Sequence, residues 1–122
     1  QGGRTLIKHQ AVANTVADMA IKLQTVRTFT RHAARALDEG ASDAVPLSLM
    51  AKVFAADTIF DLVKKAFELH AGSGVMVEVG IEKHFRDAAV FLHMDGTQDI
   101  HRFKIIRSMF PDTAGLYAGP EA

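Results

Sequence analysis

The sequence predicts an all-α protein, an antiparallel helical bundle of three long helices with small ones between. Three observations carry that expectation. Two stretches, Val12 to Leu37 and Leu49 to His70, repeat apolar or small residues at steps of three and four. Stop and start signals bracket them: Asp38-Glu39-Gly40 and Pro46 between the two, and glycines after the second. The one strand-like run, Val75 to Val79, is followed by Gly80 and reads better as an extended connector.

Taken in order, Gln1-Gly2-Gly3-Arg4 favours neither helix nor strand and reads as a cut end. Val12, Val16, Met19, Leu23, Val26, Thr30, Ala33 and Leu37 then form a seam close to the 3.5-residue repeat of nearly parallel or antiparallel helices. As a helix this stretch is about 38 Å long at ~1.5 Å per residue. Gly40 is placed to cap its C-terminus, residues 41–45 form a loop, and Pro46 suits the first turn of the next helix. That second helix carries Leu49, Val53, Ala56, Phe60, Val63, Phe67 and His70 in the same rhythm, and the short loop makes the pair antiparallel. Met50, Phe54, Ile59 and Leu62 add a second apolar face. The face around Phe54, Ile59 and Leu62 is expected to be covered by another chain or by a preceding domain. Ala71-Gly72-Ser73-Gly74 ends the helix, residues 81–93 give one or two short helices, and Ile100, Phe103, Ile106 and Phe110 mark the last one before Pro111. Residues 1–110 thus form one helical domain and 111–122 a tail.

The chain has 122 residues, 48% hydrophobic and 23% charged, which is enough for one buried core. Fourteen basic residues balance fourteen acidic ones, against an electrostatic grip on nucleic acid or an anionic membrane. Cysteine is absent, which excludes a disulfide frame and fits a reducing compartment. No apolar run approaches membrane-spanning length and residues 1–10 lack a signal-peptide core, so the expected setting is soluble and intracellular.

Candidate chemistry centres on Arg86 to Phe103. Asp95 precedes Gly96, which permits backbone angles other residues resist, and Thr97 can cap a following helix. Asp95 is therefore either part of a capping device or a reactive group. Six histidines invite a metal, with His93, Asp95, Asp99 and His101 near one another in sequence. Paired Glu-x-x-His motifs and HExxH are absent, so ordinary hydrogen-bonded histidines are the expectation. The Ala71–Gly74 loop can bring backbone N–H groups to a phosphate or simply cap a helix. Arg86 and Asp87 read as a local ion pair, and the five methionines sit at core-like positions.

Five strings occur in order: HQAVANTVADMA (9–20), LMAKVFAAD (49–57), ELHAGSG (68–74), IEKHFRDA (81–88) and DGTQDIHR (95–102). Together they resemble the C-terminal helical domain of the acyl-CoA dehydrogenase family, a four-helix-bundle-like unit, here with its first helix truncated. The resemblance implies FAD-dependent oxidation of the Cα–Cβ bond of an acyl-CoA thioester. A carboxylate takes the α-proton and the β-hydrogen leaves as hydride to the flavin. By motif position Asp95 matches the base, and Thr97 and Asp99 match residues that hold FAD. Gln10, Gly72, Ser73 and Gly74 match positions that reach the FAD of a neighbouring subunit. The resemblance also implies electron-transferring flavoprotein or a similar acceptor as partner. It further implies a homodimer, dimer of dimers or hetero-oligomer, in the cytoplasm or mitochondrial matrix.

The sequence departs from the family pattern in places. Asp95 stands where glutamate is usual, as in some relatives acting on cyclic acyl groups, and is shorter by one methylene. Other relatives place a glutamate on an earlier helix, which this chain does not contain. Ala71 replaces the first loop glycine, Val75 an aromatic, and Gly2-Gly3 the usual Phe-Gly. The family places this domain after an N-terminal helical domain and a β-domain that form much of the site. The expectation is a fragment, or a subunit needing a partner, inactive alone; the alternative is a non-catalytic helical interaction or scaffold subunit.

Overall fold

The computed structural model describes residues 2–113; the expectation of a C-terminal tail falls mostly on 114–122, outside the described residues. It is all-α. Helix α1 spans Gln10–Asp38, α2 Ala44–His70, α3 Ile81–Phe91 and α4 Gln98–Met109, with a short 3-10 turn, Leu6–Lys8, ahead of α1. Only α1 and α2 are long, at 29 and 27 residues; α3 and α4 have 11 and 12, so the expected third long helix is a short one. Asp95 and Gly96, both at positive φ, keep α4 from extending backwards, and the residue before Pro111 ends it.

The α1–α2 corner is a Schellman turn. Gly40 adopts φ +66°, its N–H bonds to the Leu37 carbonyl at 3.1 Å, and the Ala41 N–H to Ala36 at 2.9 Å. The two helices then run antiparallel. Helix α2 is the centre of the molecule: α1, α3 and α4 each pack on it rather than on one another. The core is built mainly of small side chains, with Ala33 and Ala36 from α1, Ala51, Ala55 and Ala56 from α2, and Ala88 from α3, joined by Val26 and Leu62. No large side chain among the described residues is fully enclosed. Of the expected α1 seam, Val26 and Ala33 are buried, whereas Leu37 is 51% exposed.

The faces of α2 are used differently from the expectation. The Phe54–Ile59–Leu62 face is taken by α1: Leu62 is 8% exposed, and the Phe54 ring lies 6.0 Å from Phe29. Helix α1 thus does most of the covering expected of another chain or a preceding domain, with Phe54 left 38% exposed, so this face is no argument for assembly. Phe60 and Phe67, from the other α2 pattern, meet Phe85 of α3 at 5.5 and 5.6 Å between ring centroids. Met76, Met94 and Met109 are exposed rather than in the core, each lying in a connector or at an outer helix end.

Between α2 and α3 the chain makes two 3-10 turns, Ala71–Val75 and Val77–Val79, in place of an extended connector. Ala71 opens them at φ +48° and ψ −138°, a conformation suited to glycine. Ser73 donates its hydroxyl to the His70 carbonyl at 2.6 Å, closing the C-terminus of α2. Gly74 is buried, and a Cβ there would lie 3.1 Å from the Phe67 carbonyl oxygen. Replacing Ala71 by Gly should therefore stabilise the fold by about 1 kcal/mol, because it removes left-handed strain from a non-glycine residue. Thermal unfolding of the variant beside the parent should show a higher midpoint; an unchanged or lower one rejects the strain.

Candidate functional site

The 92–98 turn joins the end of α3 to the start of α4 and carries Asp95. Its conformation is set locally: Asp95 lies at φ +60° and Gly96 at φ +117°. The cap of α4 is Thr97, whose Oγ1 accepts the Ile100 N–H at 3.4 Å. Asp95 therefore does not cap the helix. It is exposed and, among the described residues, makes no hydrogen bond or ion pair. Gly96 faces His101: a Cβ at position 96 would sit 3.2 Å from the imidazole Cε1. His101 is 4% exposed and donates from Nδ1 to the Thr97 carbonyl at 2.9 Å, which fixes the proton on that nitrogen. It packs the turn and does not gather with His93, Asp95 and Asp99. Among the described residues no group of three or more His, Asp or Glu converges as a metal site.

A polar cluster absent from the sequence expectations holds this turn against α2. Lys52 Nζ donates to the Leu92 carbonyl at 3.4 Å, the Gly96 carbonyl at 3.5 Å and the Gln98 Oε1 at 2.9 Å, and lies 5.8 Å from the centre of the Phe91 ring. Gln98 in turn donates from Nε2 to the Val53 carbonyl at 3.0 Å and to Asp57 at 2.9 Å. Arg102 completes the cluster, with one nitrogen 2.6 Å from Asp57 and the other 3.2 Å from Asp99. The only sequence signal for it was one lysine in an apolar segment, the sole charge between Asp43 and Asp57.

Asp99 sits in the first turn of α4 with its side chain 94% exposed, where a carboxylate is favourable to the helix dipole. Arg86 and Asp87 do not pair with each other. Adjacent helical residues point about 100° apart, so Arg86 bonds Glu82 at 2.8 Å and Asp87 bonds Lys83 at 2.6 Å. The Lys83 hydrogen bond holds the Asp87 carboxyl below its usual range.

The candidate residues fall into two groups. Asp95, Thr97 and Asp99 are together at the α3–α4 turn. Gln10, the first residue of α1, and Gly72–Gly74, just after α2, share the opposite end of the antiparallel pair. From Val53 to Gly72 is nearly the remaining length of α2, roughly 28 Å at ~1.5 Å per residue. One copy of this chain does not bring the two groups into one site.

An all-helical domain presenting an acid on a clamped turn between two helix ends is the class these contacts define. The sequence profile of the acyl-CoA dehydrogenase C-terminal domain matches residues 1–110. The chain belongs to the acyl-CoA dehydrogenase family, as its C-terminal domain. It is 34% identical to mitochondrial isobutyryl-CoA dehydrogenase of Bos taurus, over 92% of this chain and 27% of that protein. It is 38% identical to cyclohex-1-ene-1-carbonyl-CoA dehydrogenase of Geobacter metallireducens, over 91% of this chain and 30% of that one. The CarC subunit of the caffeyl-CoA reductase-Etf complex of Acetobacterium woodii is 31% identical over 86% of this chain and 27% of its own. Among solved structures, a putative acyl-CoA dehydrogenase from Mycobacterium smegmatis superposes with a TM-score of 0.85 at 29% identity, covering 89% of this chain and 29% of its own. A chain from structural work on the electron transferring flavoprotein of Acidaminococcus fermentans gives 0.84 at 31% identity, covering 90% of this chain and 29% of its own. The chain thus spans 27% to 30% of the length of these curated relatives.

Proposed function

We propose that the protein containing this chain is an FAD-dependent acyl-CoA dehydrogenase in which Asp95 removes the α-proton of an acyl-CoA thioester. The observation that carries this reading is the unengaged Asp95 carboxylate. It projects from a turn fixed on both sides while Thr97 alone does the capping. A group meant only to end a helix would accept an N–H of the first turn. FAD, when bound, supplies the hydride acceptor. The residues on hand suit it chemically: the Thr97 hydroxyl and Asp99 carboxylate lie at the exposed start of α4, and among the described residues the space a Cβ at Gly72 would enter is open at the far end. In this reading Thr97 and Asp99 hold the cofactor beside Asp95. Gln10 and Gly72–Gly74, a helix length away, serve the cofactor of a second subunit. That division supports a homodimer or dimer of dimers, and the exposed outer flank of α1, with Ile21 at 65%, is a surface for the rest of the protein.

Two of the relatives are named for a branched and a cyclic acyl-CoA ester, and a compact acyl group is the class proposed here. The Etf complex containing CarC favours an electron-transferring flavoprotein as acceptor. The proposed compartment is the cytoplasm, or the mitochondrial matrix in a eukaryote. Among the described residues no helix is long and apolar enough to cross a membrane. The full-length protein should purify yellow, and anaerobic isobutyryl-CoA or cyclohexane-1-carbonyl-CoA, each with an α-proton to lose, should bleach its flavin absorption. A colourless protein rejects the enzyme. The second reading, a non-catalytic helical interaction or scaffold subunit, is favoured by the strained Ala71 in the cofactor-facing loop and predicts that colourless result.

A further inference from the structure

Lys52 hydrogen-bonds both ends of the turn bearing Asp95. Its ammonium has three donors, and all three are directed at that turn or the residue after it: the carbonyls of Leu92 and Gly96, and the Gln98 amide oxygen. None of the ion pairs among the described residues involves it, so its charge is balanced by carbonyl dipoles rather than a carboxylate. Leu92 is the C-cap of α3, where a cation meets the negative end of the helix dipole. Gly96 directly follows Asp95. The lysine stem rises from the third turn of α2, the helix on which the other three pack, so the turn is referenced to the core and not to its exposed neighbours.

We propose that Lys52 is a positioning residue for Asp95, holding the 92–96 turn at the register that proton abstraction requires. The proposal rests on the reading of Asp95 as the base. Asp95 is one methylene shorter than glutamate and has less freedom to compensate for a displaced backbone. A shift near 1 Å at a reacting group lowers the rate about a hundredfold. Gln98 is the second strut, because from the start of α4 it bonds Lys52, the Val53 carbonyl and Asp57, all on α2.

The test uses the full-length holoenzyme and stopped-flow flavin reduction by isobutyryl-CoA, which carries the α-proton that Asp95 would remove. Lys52→Met should lower the reduction rate about a hundredfold, with KM changed less than about threefold and FAD content retained. In an Asp95→Asn background the same change should leave the residual rate within about twofold, because Lys52 acts through Asp95. Should K52M yield no folded holoenzyme, Gln98→Leu takes its place, with an expected loss of about tenfold and the same silence in the Asp95→Asn background. A reduction rate unmoved by these changes overturns the proposal, as does an equal loss with and without Asp95. If Asp95→Asn itself leaves the rate intact, the assignment of the base has failed, a separate outcome from a positioning residue that proves dispensable.

Discussion

Asp95→Asn in the full-length protein should cut flavin reduction by acyl-CoA about a thousandfold while FAD stays bound. General-base removal is worth roughly 10²- to 10⁴-fold in enzymes of many kinds, and amide nitrogen and oxygen at position 95 offer no base to replace the carboxylate. Asparagine is the informative substitution because, like aspartate, it tolerates the positive φ of +60° found at this position. The turn should therefore keep its shape. Nothing that holds the turn depends on the Asp95 carboxylate: the α4 cap comes from Thr97, and the struts from Lys52 and Gln98. A variant that loses colour together with activity would indicate a cofactor-holding role instead. Turnover equal to the parent's would remove Asp95 from the chemistry.

Phe85→Ala should destabilise the folded protein by about 3 kcal/mol. The Phe85 ring ties α3 to two aromatic rings of α2, Phe60 and Phe67, at once. Truncating a buried phenylalanine removes about 3–5 kcal/mol, and half-burial here sets the lower end of that range. Each lost ring pair adds about 0.5–1.5 kcal/mol beyond area. The urea midpoint should fall with the slope unchanged, and Phe85→Leu should recover about half of the loss. A change below about 1 kcal/mol would mean that α3 is held by something other than this ring. Because α3 leads into the 92–98 turn, the truncated variant should also reduce its flavin more slowly.

Local signals carried well from sequence to structure. The period of α1, the Gly40 corner, Pro46 in the first turn of α2 and the Thr97 cap were all legible, since each depends on residues within a few positions. The azimuth of α2 was not. Apolar residues surround that helix, so periodicity alone did not say which flank meets α1. Phe54, Ile59 and Leu62 proved to be the α1 side, and Phe60 and Phe67 the α3 side. The 3-10 turns after His70 were missed because so few residues hold no repeat. At the candidate site Asp95, Gly96 and Thr97 stood out by residue type. Lys52, Asp57, Gln98 and Arg102 did not, because their bonds join positions more than forty residues apart, and only the folded chain brings them together.

Helices that meet through alanine approach closely and freeze few rotamers. They also lack the protruding knobs that fix stagger along their common axis. The joint between α1 and α2 is in this sense a smooth bearing along its alanines, locked at one end by the Gly40 corner, while the Lys52 bonds tie α2 to the α3–α4 turn and leave α1 untouched. Small shear between the two rods is then taken up at the other end, where Gln10 and the Gly72–Gly74 turn lie. In the proposed oligomer, a neighbouring subunit pressing there settles into place without disturbing the acid at the far corner.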